Sequence, residues 1–249
     1  MKKVVVVTGA LGGIGKATVK VFLEAGYHVV ALDKKEPEPE REDKGVSYLQ
    51  LDITNRKKVE KTIEYIEEKI GEIYKLIHVS GIFLSKAITH LKPDEWMSIF
   101  DVNCNGTFYI TQSVSKKMIE RREGTIVIVS SNASKFPRKN MAAYAASKAA
   151  TSMYAKCLAL ELSEFDIRCN IISPGSTETD MQKQLWGGSD TVPESIIMGD
   201  LEAYRLGIPL KKIAQPADIA EVIYFIASEK ANHITMEEIT VDGGATMGV

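Results

Sequence analysis

Three side chains set out the chemistry this chain could do. Ser131 follows a short apolar run, Tyr144 comes 13 residues later, and Lys148 lies four beyond that. On a helix, positions i and i+4 share a face, so Tyr144 and Lys148 can point into one site. A free phenol has a pKa of about 10 and is a poor base at neutral pH. A cation about 4 Å away supplies roughly 4 kcal/mol at an effective dielectric of about 20. That equals about 3 pKa units, enough to draw the phenol towards 7. Ser131 could then hold a substrate oxygen while Tyr144 moves the proton. Tyr-x-x-x-Lys pairs are also common on helix surfaces, so this one gains its weight from its surroundings.

The surroundings include a nucleotide-type turn. Residues 8–15 read Thr8-Gly9-Ala10-Leu11-Gly12-Gly13-Ile14-Gly15, directly after a run of valines. Glycines there let the backbone turn tightly and approach a pyrophosphate seated on a helix N-terminus. A glycine-rich turn alone is a weak signal. Asp33, 18 residues after Gly15, stands at the end of the second predicted strand. A carboxylate at that place accepts bonds from a ribose diol and repels a 2′-phosphate, which favours NAD over NADP. Lys34 and Lys35 read as solvated residues opening a charged loop.

Alternating elements must position these groups. Strands are predicted over 3–8, 28–32, 46–51, 76–80, 125–130, 167–172 and 238–241. Helices are predicted over 13–25, 56–70, 94–122, 142–164 and 216–227. Such alternation means βαβ units and a parallel sheet covered on both faces, and the unbroken apolar runs 4–7 and 126–129 suit strands buried on both sides. Residues 36–44 (EPEPEREDK) read as an exposed connection. Residues 173–212, with Trp186-Gly187-Gly188 and Pro193, have weak periodicity and read as a long substrate loop.

Composition narrows the partners. The 249 residues carry 31 Lys plus Arg against 33 Asp plus Glu, a net charge of -2, with 45% hydrophobic residues. No basic footprint for nucleic acid and no run long enough to span a bilayer is present, so neither nucleic acid nor membrane is expected as a partner. Cys104, Cys157 and Cys169 form no CxxC pair, and His28, His78, His90 and His233 are scattered. A reducing cytoplasmic location without disulfides is expected, and no metal site. Met141, Met153, Met181, Phe165 and Tyr224 read as core or subunit-contact residues.

The turn at 8–15, Asn103 in DVNCNG, Ser131, the run Tyr144-Ala145-Ala146-Ser147-Lys148 and Pro174-Gly175 together resemble the short-chain dehydrogenase/reductase family across essentially the whole chain. The resemblance implies an α/β fold: a single Rossmann-type three-layer domain over 1–249 with a seven-stranded parallel sheet. It implies a catalytic tetrad of Asn103, Ser131, Tyr144 and Lys148, with Asn103 holding a water in a proton relay. It implies NAD contacts at Thr8, Gly9, Leu11, Gly13, Ile14, Gly15 and Asp33, with Asp52 and Ile53 on adenine. Gly81, Tyr144, Lys148, Pro174, Gly175, Thr177 and Thr179 complete the cofactor set. Homotetramers built on the two longest helices are usual in that family.

Two positions depart from its pattern. His78-Val79-Ser80-Gly81 stands where Asn-Asn-Ala-Gly is usual, removing asparagines that stack and brace strands. Thr177 replaces an aliphatic residue and brings a hydroxyl towards the nicotinamide carboxamide.

Segments 136–138 (FPR), 168–170 (RCN), 173–186 (SPGSTETDMQKQLW), 206–220 and the tail from His233 are similar to one branch of that family. That branch oxidises a carboxylated cyclic dihydrodiol to a catechol for siderophore synthesis. The substrate contacts would be Ser131 and Tyr144, and the carboxylate calls for a bidentate cation, for which Arg138, in the loop between Ser131 and Tyr144, is the candidate, the alternative being an exposed surface arginine. Other short-chain alcohol dehydrogenases and 3-oxoacyl-carrier-protein reductases remain alternatives, as does a non-catalytic NAD sensor. Asp33 argues against the NADPH-dependent reductase, and an intact tetrad argues against the sensor.

Overall fold

The computed structural model describes residues 2–36, 44–186 and 191–248. Most of the expected exposed connection at 36–44, and Gly187 and Gly188, lie outside the described residues. Strands β1 (Lys3–Thr8), β2 (His28–Asp33), β3 (Val46–Gln50), β4 (Glu72–His78), β5 (Gly124–Val129), β6 (Ile167–Pro174) and β7 (Glu238–Val241) form one sheet in the order β3-β2-β1-β4-β5-β6-β7. Every pairing is parallel.

The valines of β1 show why the sheet is covered twice. Val4 and Val6 face a core shared with helices α2 (Arg56–Tyr65), α4 (Thr107–Arg121) and α5 (Ala142–Ser163). Val5 and Val7 face a core shared with α1 (Gly13–Glu24) and α8 (Pro216–Ala227). Alternate residues of a strand point to opposite faces, so a continuous apolar run serves both layers. Each fully buried side chain of this size contributes about 1.5–3 kcal/mol of hydrophobic stabilisation. Small residues let α5 lie close to the sheet: Ala155 and Ala159 are fully buried beneath it.

From β1 the chain runs outward through β2 to β3, then crosses to β4 on the other side of β1. The carboxyl ends of β1 and β4 therefore diverge into a crevice, the place where open α/β sheets bind ligands. Thr8 and His78, the last residues of those strands, face each other across it.

Three predicted elements need correction. The strand placed at 76–80 runs instead over Glu72–His78. Its centre hides a lysine: Lys75 is fully buried, its Nζ bonded to the Ala227 carbonyl at 2.7 Å and 3.5 Å from Glu229. A charged residue reads as a strand end unless its amino group finds buried partners, and this one does. The helix placed over 94–122 is α3 (Pro93–Phe100), a π-helical segment at Asp101–Gly106, and then α4. Likewise α2 gives way to a π turn at Ile66–Ile70.

The weakly periodic stretch after β6 holds two short helices, α6 (Asp180–Leu185) and α7 (Glu194–Met198). A small separate core of Ile196, Ile208, Ile213 and Ala245, with Trp186 and Val192 packed on it, supports them. Among the described residues, no helix is long and apolar enough to cross a membrane.

Candidate active site

The glycine-rich turn occupies the β1 side of the crevice. Gly9 has φ 65°, and a Cβ there would come within 2.9 Å of the Ser80 amide nitrogen. A Cβ on Gly15 would overlap the Gly9 carbonyl. Only glycine lets the two segments close. Helix α1 starts with Gly12 as its cap, without a side-chain cap and without an acidic residue in its first turn. Its first amides are thus free for an anion. Leu11 N–H donates to Asp33 Oδ2 and Lys35 N–H to Oδ1, both at 2.9 Å. The carboxylate braces the turn and keeps further lone pairs for incoming hydroxyls. Ile14 packs into the layer beneath α1.

At the far edge of the turn, Lys34 Nζ lies 2.9 Å from Asp52 Oδ2. Lys34 is solvated as expected and also pairs with Asp52 at the surface. Burial works against the Asp52 carboxylate, yet bonds from Lys34 and Thr54 hold its pKa below the usual range. Ile53 is buried and fills the space above Gly106, where a Cβ would meet it at 2.7 Å.

His78 takes over the bracing that the departure from the family pattern removes. Its Nδ1 lies 2.8 Å from Thr8 Oγ1 and its Nε2 2.9 Å from Thr107 Oγ1. Thr107 gives its own proton to the Asn103 carbonyl at 2.6 Å, so it accepts from Nε2–H. Thr8 accepts from the Val79 and Ser80 amides and donates to Nδ1. The imidazole is therefore a neutral Nε2–H tautomer. Burial, with the nearby Lys148 charge, drives its pKa down to about 3. One ring thus ties the end of β1 to the segment carrying Asn103.

The four tetrad residues converge. Asn103 sits in the π-helical segment, where the extra residue per turn re-aims a side chain. Its amide is wholly engaged: Oδ1 accepts from Ile82 N–H at 2.9 Å, and Nδ2 donates to the Ile82 carbonyl and to Ser147 Oγ, both at 3.0 Å. Gly81 lies between Lys148 Nζ and Asn103 Oδ1, and a Cβ there would stand 3.2 and 3.3 Å from them. Ser131 follows β5, is buried, and accepts from Ala133 N–H at 3.2 Å. Tyr144 lies in the first turn of α5, its ring edge-on to Phe83 with centroids 4.8 Å apart. Lys148, one turn later, places Nζ 5.9 Å from the Tyr144 ring centroid and donates to the Val129 carbonyl at 3.0 Å.

The electrostatics correct one expectation. Burial raises the Tyr144 pKa, and the hydrogen-bonding Ser131 hydroxyl only partly offsets it. Lys148 is directed at Val129 rather than at the phenolic oxygen, and burial lowers its own pKa to about 8. The spacing of the pair does not by itself bring the phenol towards neutrality.

The opposite wall comes from the end of β6. Pro174 pairs with Val241, and Gly175 packs so closely on Asp242 that a Cβ would meet its side chain at 2.5 Å. The Thr177 hydroxyl donates to the Gly175 carbonyl at 3.1 Å, and the residue is buried. Its proton is therefore spent within the turn. Thr179 lies on the glycine-rich turn: a Cβ on Gly13 would sit 2.7 Å from its methyl group. Arg138, in the loop between Ser131 and Tyr144, is half-buried, with its guanidinium 5.9 Å from the Phe136 ring.

Sequence reasoning missed His78 as a brace, Phe83 as the support of the Tyr144 ring, and Thr107, Ser147 and Thr151 as partners of Asn103. Among the described residues, no three His, Cys, Asp or Glu side chains cluster as metal ligands. A free-amide helix start, a turn closed to any Cβ, and a carboxylate at the end of β2 fit a dinucleotide. NAD bound there would supply a hydride acceptor carrying a positive ring.

The short chain dehydrogenase family model matches residues 3–189. The chain is 45% identical to the 2,3-dihydro-2,3-dihydroxybenzoate dehydrogenase of Bacillus subtilis, over 99% of this chain and 97% of that one. It is 40% identical to the enzyme of the same name from Escherichia coli, over 97% and 96% of the two chains. The solved aldohexose dehydrogenase of Thermoplasma acidophilum superposes with a TM-score of 0.88 at 31% identity, covering 100% and 95%. With that fold, that match and that convergence of Asn103, Ser131, Tyr144 and Lys148, the chain belongs to the short-chain dehydrogenase family.

Proposed function

We propose that this chain oxidises 2,3-dihydro-2,3-dihydroxybenzoate to 2,3-dihydroxybenzoate with NAD+, as a step in catecholate siderophore synthesis. The observation that carries the reading is 45% identity over nearly the full length to a dehydrogenase of that name. The identity extends through the segment after β6, which we take as the substrate loop over 173–212.

Ser131 holds the ring hydroxyl to be oxidised, and Tyr144 takes its proton. NAD+, when bound, would accept the hydride from the same carbon, and its positive ring would favour the phenolate that burial disfavours. Lys148, with a pKa of about 8, is mostly charged at pH 7. Asn103 fixes the backbone at Ile82 with both ends of its side-chain amide, and a relay water linking Lys148 to solvent would sit beside it rather than on its carbonyl, which Thr107 and Thr151 already fill. The ketone then shifts one ring proton from carbon to oxygen, and aromatisation makes the oxidation one-way. Thr8, Gly9, Leu11, Gly13, Ile14 and Gly15 would hold the pyrophosphate, Asp33 the adenosine ribose, and Asp52 and Ile53 the adenine. Gly81, Pro174, Gly175, Thr177 and Thr179 line the nicotinamide end, and Arg138 faces the carboxylate. Cytoplasmic location and a homotetramer fit this reading. Phe108 on α4 with Met153 and Leu160 on α5 leave apolar surface exposed on the helices that would pair.

The test is initial rates with the carboxylated dihydrodiol and with neutral cyclic alcohols, each under NAD+ and NADP+. Turnover confined to the acid with NAD+ is expected. Preference for a neutral alcohol would contradict the substrate, and equal use of NADP+ would contradict the role of Asp33.

A further inference from the structure

The segment after α7 folds back into a tight, built turn. Asp200 and Arg205 exchange backbone hydrogen bonds at 2.8 Å in both directions. Gly199 (φ 97°) and Gly207 (φ 83°) form its neck, and a Cβ on either would lie 2.6 Å from a carbonyl oxygen. Asp200 Oδ1 caps the amides of Glu202 and Ala203 at 3.0 and 3.1 Å. The neck stands on the small core containing Ile196 and Ile208. The turn also reaches the loop between Ser131 and Tyr144, where Lys139 Nζ donates to the Glu202 carbonyl at 3.2 Å.

This construction carries the Arg205 side chain inward. Its Nη2 donates to Ser176 Oγ at 3.3 Å, one residue beyond the Gly175 turn. The Lys139–Glu202 bond holds the Arg138 loop against the Arg205 turn; both arginines are half-buried, burial lowers both pKa values, and the Arg205 charge lowers that of Arg138 further. The carboxylates that bear on them, Asp242 on Arg138 and Asp200 on Arg205, offset this only in part. Asp200 is spent on its caps, and Asp242 accepts from Asn132, Gly244 and Thr246. Among the described residues neither guanidinium has a carboxylate within ion-pair distance. Two like charges held together in half-buried positions repel each other, and an anion between them relieves that repulsion. A carboxylate accepts from two planar guanidinium forks at once.

We propose that Arg205 is a specificity-determining residue, forming with Arg138 a two-sided clamp on the substrate carboxylate. The proposal rests on the dihydrodiol acid being the substrate. The two arginines come from segments 67 residues apart, so the carboxylate also joins the substrate loop to the loop that carries Ser131.

The experiment compares wild type with Arg205→Gln, Arg205→Lys and Arg138→Gln, all saturated with NAD+. Rates are measured for the acid and for the same ring diol without its carboxylate, and titration calorimetry follows 2,3-dihydroxybenzoate and catechol. The clamp predicts that Arg205→Gln lowers kcat/KM for the acid about 10- to 100-fold, mainly through KM. The neutral diol changes under about threefold, and Arg205→Lys recovers part of the loss. The double Arg138→Gln/Arg205→Gln variant loses less than the product of the single losses. An equal loss on acid and neutral diol would make Arg205 a mere loop support and overturn the clamp. So would an unchanged acid rate. Should wild type oxidise neither compound, the substrate assignment fails, and calorimetry still decides the clamp. Wild-type binding of 2,3-dihydroxybenzoate in excess of catechol, lost in Arg205→Gln, upholds it; equal binding of the two overturns it.

Discussion

The two walls of the crevice are built on different principles. On the β1 side the ligand surface is backbone: Gly9, Gly13 and Gly15 leave no room for side chains, and the amides at the start of α1 face outward. On the β6 side it is side chains: Thr177 and Thr179 follow the Gly175 turn, and Arg205 reaches Ser176 from the turn after α7. A backbone site recognises what dinucleotides share. A side-chain site recognises what one substrate carries, and changes with a single substitution. Tyr144 and Lys148 stand between the two walls and serve both.

The sharpest way to break that contrast is at the junction. Tyr144→Phe should lower kcat by about 1,000-fold or more while leaving the NAD dissociation constant within about threefold, read by rates and by fluorescence titration. Retained activity would remove the phenol from the mechanism.

Next in size is the backbone wall. Gly15→Ala forces a methyl group onto the Gly9 carbonyl and should weaken NAD more than about 100-fold, with a loss of roughly 2–3 kcal/mol in denaturant stability. Wild-type affinity in that variant would show that the turn yields and is not a fixed cradle.

The third effect is a pH dependence. His78 has a pKa near 3 in the fold against about 6.5 unfolded, so the folded state binds the proton more weakly. Its contribution is present above about 6.5 and is lost as pH falls towards 3. Between pH 6.5 and 4.5 the loss is about 2 kcal/mol. His78→Asn, which can still bond Thr8, should flatten that part of the stability curve in urea titrations at the two pH values. An unchanged slope would place the acid sensitivity elsewhere.

Smallest is Asp33→Asn. Removing the charge that repels a 2′-phosphate should shift the NAD to NADP preference by about 10- to 30-fold, measured as a ratio of kcat/KM values. No shift would assign cofactor choice to another group.

The same contrast explains what could be read from the amino acids. The glycine turn, Asp33 and the Tyr144–Lys148 pair were legible because each follows from local spacing: a positive φ needs glycine, and i,i+4 residues share a face. The parallel sheet covered on both faces followed from alternation and from unbroken valine and isoleucine runs. What stayed hidden depends on distant partners. Lys75 looks like a strand breaker until the Ala227 carbonyl meets its amino group. The π-helical segment at Asn103 looks like ordinary helix, because its extra residue is revealed only where Thr107 and Thr151 bond the Asn103 carbonyl. His78 looks like a scattered histidine until Thr8 and Thr107 close on both its nitrogens. Arg205 lies in a stretch without periodicity, where only the turn closed by Gly199 and Gly207 decides which way it points.

The most direct measurement is product stoichiometry: NADH by absorbance and 2,3-dihydroxybenzoate by chromatography, from NAD+ and the dihydrodiol acid. The account predicts one NADH for each catechol formed, at a rate that Tyr144→Phe lowers about 1,000-fold. Catechol without matching NADH, or neither product from the acid while another alcohol is oxidised, would contradict it.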